Sequence, residues 1–356
     1  MPEHSYLAHG DWGTTPWNPH DRGDLPLPDC AYLGGVFRAF EERWTGPPLT
    51  FFVTYDTTAL PRYGSDVVAV VLNDEWFRTP AYGGQVLAVL RNLSNSPWFP
   101  WETVAPPSVA SAFALTNHLR ILSERARAHR KMAESRRTQG WAPPRTDNIV
   151  DVPLGYYRQP EKPIKPFDQR DTDVYFGGSL IHDLDRKERW KQAVKRLAGN
   201  PKQLYRASML HELERVRSAH PEVRAKVTVT GEFRDLQATQ VTDYAEDMMD
   251  ARVALVPRGT AAESYRLYEA WRYGCIVICE PLPPRPFLEG APAIRLRSWR
   301  ELEPALLELL DDPARQRELH GASLRWWQNV CSEEAIGSRL VVRLSDLRDG
   351  VSRKRL

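Results

Sequence analysis

Short apolar runs separated by longer amphipathic stretches set the rhythm of this chain. In the first half, Leu49–Tyr55 and Asp66–Leu72 read as buried strands, and Gln85–Arg91 is a third candidate. The run from Ser108 to Ser135 is charged on one side and apolar on another, which predicts a long helix. Prolines then crowd residues 140–172 (Pro143, Pro144, Pro153, Pro160, Pro163 and Pro166) around a short predicted strand, Asn148–Val152. Beyond that break the pattern restarts. Strands are predicted at Val174–Phe176, Ala225–Thr230, Arg252–Val256 and Ile276–Ile278, with helices near 186–218, 241–249 and 264–273 between them. The first of those helices carries a break signal at Gly199-Asn200-Pro201. A final helical section spans about 299–342. Near-continuous apolar strands alternating with helices predict parallel sheets covered on both faces. The expected architecture is α/β, with two Rossmann-like halves: residues 1–155, a proline-rich linker at 156–170, and 171–330. A last segment, 331–356, is expected to cross back to the first half and end in a basic tail.

Composition narrows the function classes. A chain of 356 residues with 42% hydrophobic and 26% charged content suits two ordinary globular domains. A net charge of +2 points to no nucleic-acid partner, and Arg353-Lys354-Arg355 is too short a run to change that. No basic stretch precedes an apolar run at the N-terminus, and no window approaches a membrane span. A cytoplasmic protein, at most peripheral to a membrane, is therefore expected. The four cysteines, Cys30, Cys275, Cys279 and Cys331, lack metal spacing. Cys275 and Cys279 fall in or beside the apolar strand run and read as core thiols. Oligomeric state leaves no mark in the sequence.

The richest chemistry lies at the turn after Arg252–Val256. Open parallel sheets bind ligands outside the carboxyl ends of their strands. Pro257-Arg258-Gly259-Thr260-Ala261-Ala262-Glu263-Ser264 sits at such an end. Gly259 permits close backbone approach, and Ser264 falls at the N-cap of the next helix, where an anion is favoured. Arg258 and Arg266 bracket the turn and can fork onto phosphate oxygens. Glu269 lies further along the helix, placed either to accept from a ribose diol or to pair with Arg266 at i,i+3 on the surface.

The block RVALVPRGTAAESYRLYEAWRYGCIVI (residues 252–278) resembles the C-terminal signature of exostosin-like GT-B glycosyltransferases. That signature has a strand ending in Pro-Arg-Gly, then Ser-Tyr-Arg-Leu-aromatic-Glu-Ala, then Gly-Cys-Ile. Tyr244, Met248 and Met249 upstream fit the same spacing. The resemblance implies two facing Rossmann-like domains and a nucleoside-diphosphate sugar, such as a UDP-sugar, as co-substrate, with no permanently bound cofactor. It places Arg258, Gly259, Ser264 and Arg266 on the donor phosphates, counts Tyr265 among the donor-binding residues and gives Glu269 the ribose. The acceptor would be a glycan or small molecule bound by the first domain. Glu263, where the family has a small residue, should point away from the diphosphate or toward the acceptor. The Glu-x7-Glu spacing of many retaining GT-B enzymes is missing: the eighth residue after Glu263 is Trp271, and the eighth before Glu269 is Ala261. An inverting, metal-independent transfer is the expectation.

Several weaker signals complete the picture. Gly177-Gly178-Ser179 closes a strand and would let phosphates approach. Gly231 and Phe233 end the next strand and would line a nucleobase pocket. Asp171-Thr172-Asp173 and Asp183-Leu184-Asp185 imitate a metal motif. The first lies at the wrong end of its strand and the second reads as a helix cap, so no metal is expected. An inverting enzyme needs a general base; Asp11 and Asp74 are named, with Glu75 and Asp56 behind them, and each can equally be a turn former. Sugar-nucleotide epimerases share the fold but lack the Pro-Arg-Gly block, and a nucleotide-binding protein without turnover is the non-enzyme alternative.

Overall fold

The computed structural model describes residues 3–21, 30–72, 78–93, 109–157, 159, 162–179, 201–230, 238–259 and 262–350. The chain divides into two units, one of Met1–Trp98, Leu119–Arg158 and Asn329–Leu356, the other of Phe99–His118 and Gln159–Gln328. Each has its own parallel sheet, so the chain has the two parallel-sheet α/β halves that the sequence predicts.

In the first unit the strands are β1 (Ser5–Gly10), β2 (Gly13–Pro16), β3 (Thr50–Thr54), β4 (Gly64–Val71), β5 (Val86–Arg91) and β6 (Ile149–Asp151). Their order is β2-β1-β3-β4-β5-β6, parallel throughout except for the β1–β2 hairpin. Every residue of β5 is buried, as a strand covered on both faces requires. Helix α1 (Cys30–Glu41) covers the sheet with an aromatic cluster in which Tyr6 stacks on Phe51 at 5.0 Å. The long helix α2 (Val109–Gln139), which belongs to this unit from Leu119 onward, precedes β6 and buries Ile121 and Met132, which lie three turns apart on one face.

The second unit contains β7 (Thr172–Ser179), α3 (Pro201–Ala219), β8 (Ala225–Thr230), α4 (Ala238–Asp250), β9 (Ala251–Val256), α5 (Tyr265–Arg272), β10 (Ile276–Cys279), β11 (Ile294–Arg295), α6 (Leu302–Leu310) and α7 (Pro313–Trp326). Strand order is β11-β10-β9-β7-β8, and all four pairings are parallel. Phe176, Val253, Leu255, Ile276 and Ile278 meet Leu213, Val216, Leu302 and Leu306 in one core. A π-helical turn, Trp327–Cys331, leads into α8 (Glu333–Arg348), which packs on α1 in the first unit.

Three readings change. The predicted final helical section is α6, α7 and α8, interrupted where Asp312 caps Pro313 and again at the π turn. The helix expected from 186 is seen from Pro201; residues 180–200, with Asp183 and Asp185, lie outside the described residues. Neither β1–β2 nor α1 is announced by the hydrophobic pattern. Gly34 and Gly35 weaken the helical signal of α1. The reason for Gly35 is packing: a Cβ there would lie 2.5 Å from Cγ of Glu333 on α8.

Candidate anion site at the strand switch

In the second sheet β8 lies on one side of β7, while β9, β10 and β11 run off on the other. The crevice between β7 and β9 is thus a topological switch point, where open α/β sheets receive ligands. In the first sheet, by contrast, the described parallel strands β1, β3, β4, β5 and β6 add in sequence on one side, and only the antiparallel β2 lies on the other. The turn after β9 and the Gly177-Gly178 end of β7 both lie at this switch.

Side chains from three elements gather there. Ser264 is the N-cap of α5, with extended backbone (φ −148°, ψ 156°), yet its hydroxyl makes no capping bond and its buried Oγ has no protein partner. Tyr265 opens the helix, half-buried. Arg266 is only 7% exposed. Its Nε donates to the Gly177 carbonyl at 2.5 Å, its guanidinium lies 5.0 Å above the Phe176 ring, and its buried Nη1 has no hydrogen-bond partner. A Cβ on Gly178 would sit 2.0 Å from Arg266 Nη2, so the glycine is what admits the guanidinium. Arg258 is half-buried over the Tyr205 ring at 5.2 Å, its Nε likewise without a partner.

Sequence reading missed Arg206, which α3 brings in beside Tyr205. It is 6% exposed, and burial, then the nearby Arg266, push its guanidinium down to about 9. Nothing in its amphipathic surroundings marks it out. Glu280, directly after β10, was also missed. Its Oε2 accepts from the Arg258 backbone N–H at 2.8 Å and its Oε1 from Trp299 Nε1 at 2.7 Å. Burial raises its carboxyl above the usual range. The site therefore gathers three guanidinium groups, with the Glu280 carboxyl held on the Arg258 backbone beside them.

Glu269 is buried and not on the surface, so the surface-pair reading with Arg266 falls. Tyr244 donates to its Oε2 at 2.8 Å and Gln159 Nε2 to its Oε1 at 2.9 Å. Tyr273 in turn donates to Gln159 Oε1 at 3.1 Å. Glu263 turns away from the arginine cluster: it pairs with buried Arg285 and accepts from the Tyr268 hydroxyl. Gly259 is half-buried in the turn, and Thr260 and Ala261 beside it lie outside the described residues, as do Gly231 and Phe233.

In the first unit, Asp11 is exposed at the tip of the β1–β2 hairpin. It lines a cavity of about 540 Å³ with Trp12, Asp56, Arg78, Arg127 and Lys131. Asp56 accepts at Oδ1 from both the backbone N–H and the hydroxyl of Thr58 at 2.6 Å, the turn-forming alternative. Asp74 and Glu75 lie outside the described residues. Asp173 is occupied by Arg224, at 2.9 and 3.1 Å, and by Arg252 at 3.4 Å. Cys275 and Cys279 are buried, and burial raises both thiols.

No protein-family model matches the chain. Over 112 residues it is 30% identical to human ribitol-5-phosphate xylosyltransferase 1, covering 26% of this chain and 24% of that protein. The chain thus spans about a quarter of that relative's length. Among solved structures, AviGT4, a glycosyltransferase involved in avilamycin A biosynthesis, aligns with TM-score 0.41 and 11% identity over 98% of this chain and all of its own. A putative UDP-N-acetylglucosamine 2-epimerase from Listeria monocytogenes gives 0.42 and 10%, covering 92% of this chain and 96% of that one. Likenesses this distant carry no argument, and the fold rests on the strand order. What the geometry itself supplies is a largely buried cluster of guanidinium groups at a strand switch.

Proposed function

We propose that the chain is a GT-B glycosyltransferase of the exostosin-like type that uses a nucleoside-diphosphate sugar. The observation that carries this reading is the convergence of Arg206, Arg258 and Arg266 on the β7–β9 switch, with Ser264 Oγ and Arg266 Nη1 lacking protein partners. A diphosphate meets the need of such a cluster: several acceptor oxygens and two or more negative charges. The sequence block around it and the similarity to a xylosyltransferase support the same conclusion.

In this reading Arg258, Arg266, Arg206 and the N-terminus of α5 hold the diphosphate. They stabilise the charge that grows on it as the glycosidic bond breaks. Ribose hydroxyls take the place of Gln159 as donors to Glu269, while Tyr244 keeps the other oxygen fixed. The transfer inverts the anomeric centre without a metal. Asp11, at the mouth of its cavity, takes the acceptor proton.

The test is thermal stability against UDP, GDP, dTDP and CDP. A ligand that binds only the folded state at a hundredfold its Kd adds about 2.7 kcal/mol, so the preferred nucleotide should raise Tm by roughly 5–10 °C. Arg258→Ala and Arg266→Ala should remove that rise while the apoprotein still melts cooperatively. Should none of the four nucleotides raise Tm, the donor assignment is wrong.

A further inference from the structure

The turn that carries Arg258 lies between the end of β9 at Val256 and the start of α5 at Tyr265. Gly259 leaves its backbone free to take many conformations, so its shape has to be imposed from outside. The neighbouring strand imposes it. β9 and β10 run parallel, with Val256 opposite Cys279 at their carboxyl ends. Beyond that last pair, side chains carry the register on. Glu280 accepts from the Arg258 backbone N–H at 2.8 Å, and Arg285 donates to Glu263. Both links span 22 residues, against 279 − 256 = 23 for the last strand pair. The turn is therefore pinned near both ends by the one segment that follows β10.

Both grips are buried: Glu280 is 5% exposed, and Glu263 and Arg285 are 4% each. Glu280 is fixed in its turn by Trp299, whose Nε1 donates to the other carboxyl oxygen at 2.7 Å. Trp299 is itself buried, in a short 3-10 turn that Ser298 caps. Two N–H donors from two segments thus meet one side chain, each on its own oxygen. Only a carboxylate serves both, because an amide has a single acceptor oxygen. On charge alone the choice is a bad one. The Arg258 guanidinium is close enough to act on the Glu280 carboxyl, so an acid there opposes any anion that the arginine binds. Burying it adds a desolvation cost.

We propose that Glu280 is a positioning residue for the diphosphate: held by Trp299, it fixes the Arg258 backbone so that the guanidinium meets the anion without reorganising. Glu280 itself touches no ligand. Its grip on the backbone outweighs the repulsion that its charge brings, which is why an acid is tolerated there. The inference rests on the donor assignment above and concerns how that site is held in place.

Calorimetric titration of the full chain with inorganic pyrophosphate tests it, because positioning and charge predict opposite signs. Glu280→Gln removes a negative charge, so a purely electrostatic role predicts tighter binding. Positioning predicts binding weaker by about tenfold, since one oxygen cannot hold both N–H groups. Glu280→Asp keeps the charge but is one methylene short, and should weaken binding severalfold. It also decides the question if the glutamine variant does not fold. Adding Trp299→Phe to Glu280→Gln frees the amide oxygen for Arg258. That double variant should regain most of the affinity while its Tm stays below that of wild type, a split that a merely structural role does not give. Either single Glu280 variant binding pyrophosphate as tightly as wild type, or more so, overturns the positioning role. So does a double variant that binds no better than Glu280→Gln. Failure of the wild-type chain to bind pyrophosphate is a separate outcome: it overturns the donor assignment, and this inference with it.

Discussion

Gly177 and Gly178 show how a site is made by what is left out. A Cβ at Gly177 would meet the Tyr175 hydroxyl at 2.2 Å and the Tyr244 ring at 2.7 Å; one at Gly178 would meet Arg266 at 2.0 Å. The two alanine substitutions should therefore separate. Gly177→Ala presses on packed rings and should cost about 1–3 kcal/mol of stability. Gly178→Ala displaces a guanidinium that already holds the Gly177 carbonyl, and should weaken nucleotide binding more than it lowers Tm. Equal losses in a paired calorimetric and melting experiment would count against Arg266 as an anion ligand. Much of this was legible in the sequence, because local rules place a glycine pair, a cap serine and two arginines on a strand-end turn. Arg206 was not legible. It reaches the site from a helix more than fifty residues upstream of Arg258, and only the tertiary fold puts it beside Arg266. Glu263 was legible as an anomaly, but its partner Arg285 was not.

At the scale of elements, α5 matters because everything it presents depends on where its ends are held. Its N-terminus carries Ser264 and Arg266 at the strand switch. Its C-terminus is fastened by Arg170, which is buried and donates from Nη2 to the Tyr273 carbonyl at 2.5 Å and from Nη1 to the Ala251 carbonyl at 2.7 Å. A cation on the final carbonyls of a helix also suits its dipole. Arg170→Met should leave both carbonyls short of a donor and cost roughly 2–4 kcal/mol in denaturant unfolding. A cost below about 0.5 kcal/mol would mean that water replaces the guanidinium. One residue past Tyr273, Gly274 turns with φ +69°, and its carbonyl accepts from His320 Nδ1 of α7 at 2.6 Å. The His320 ring packs on Phe167 at 4.7 Å, and burial holds it below its ordinary value of 6.5. A base depressed in the folded state is stabilising while neutral. That contribution is complete above 6.5 and is lost as pH falls through that value toward the folded one, because the unfolded chain takes up the proton first. The stability difference between wild type and His320→Gln should therefore shrink between pH 7.5 and about pH 5.5. A difference that stays constant over that interval would mean that His320 does not titrate differently on folding. Sequence periodicity found α5 itself within a residue at each end, whereas both fastenings come from residues far along the chain.

At the scale of the whole chain, the first unit is finished by residues that come last in the sequence. Helix α8 buries Ile336, Leu340, Leu344 and Leu347, while Gly337 lets it approach so closely that a Cβ there would lie 2.8 Å from Cβ of Ala39 on α1. Tyr32 of α1 donates to the Cys331 carbonyl at 2.6 Å, in the π turn just before α8. Tyr156 donates to Glu333 Oε1 at the same distance. A helical signal near the C-terminus was legible; its address on α1 was not, because α1 had no signal of its own. Four buried aliphatic side chains at up to about 1.5–3 kcal/mol each sum to an amount comparable with the roughly 5–15 kcal/mol stability of a whole domain. Ending the chain at Gln328 should therefore unfold the first unit. Hydrogen exchange would then show β3, β4 and β5 exchanging at unfolded rates, while β9 and β10 of the second unit keep their protection. Gly337→Val is the graded form of the same experiment: it keeps every apolar residue of α8 but cannot close on Ala39. It should cost about 1–3 kcal/mol and lower protection in β3–β5 alone. If the truncated chain instead retains protection in those strands, α8 is an accessory cover, and α1 with its aromatic cluster suffices to hold the first sheet.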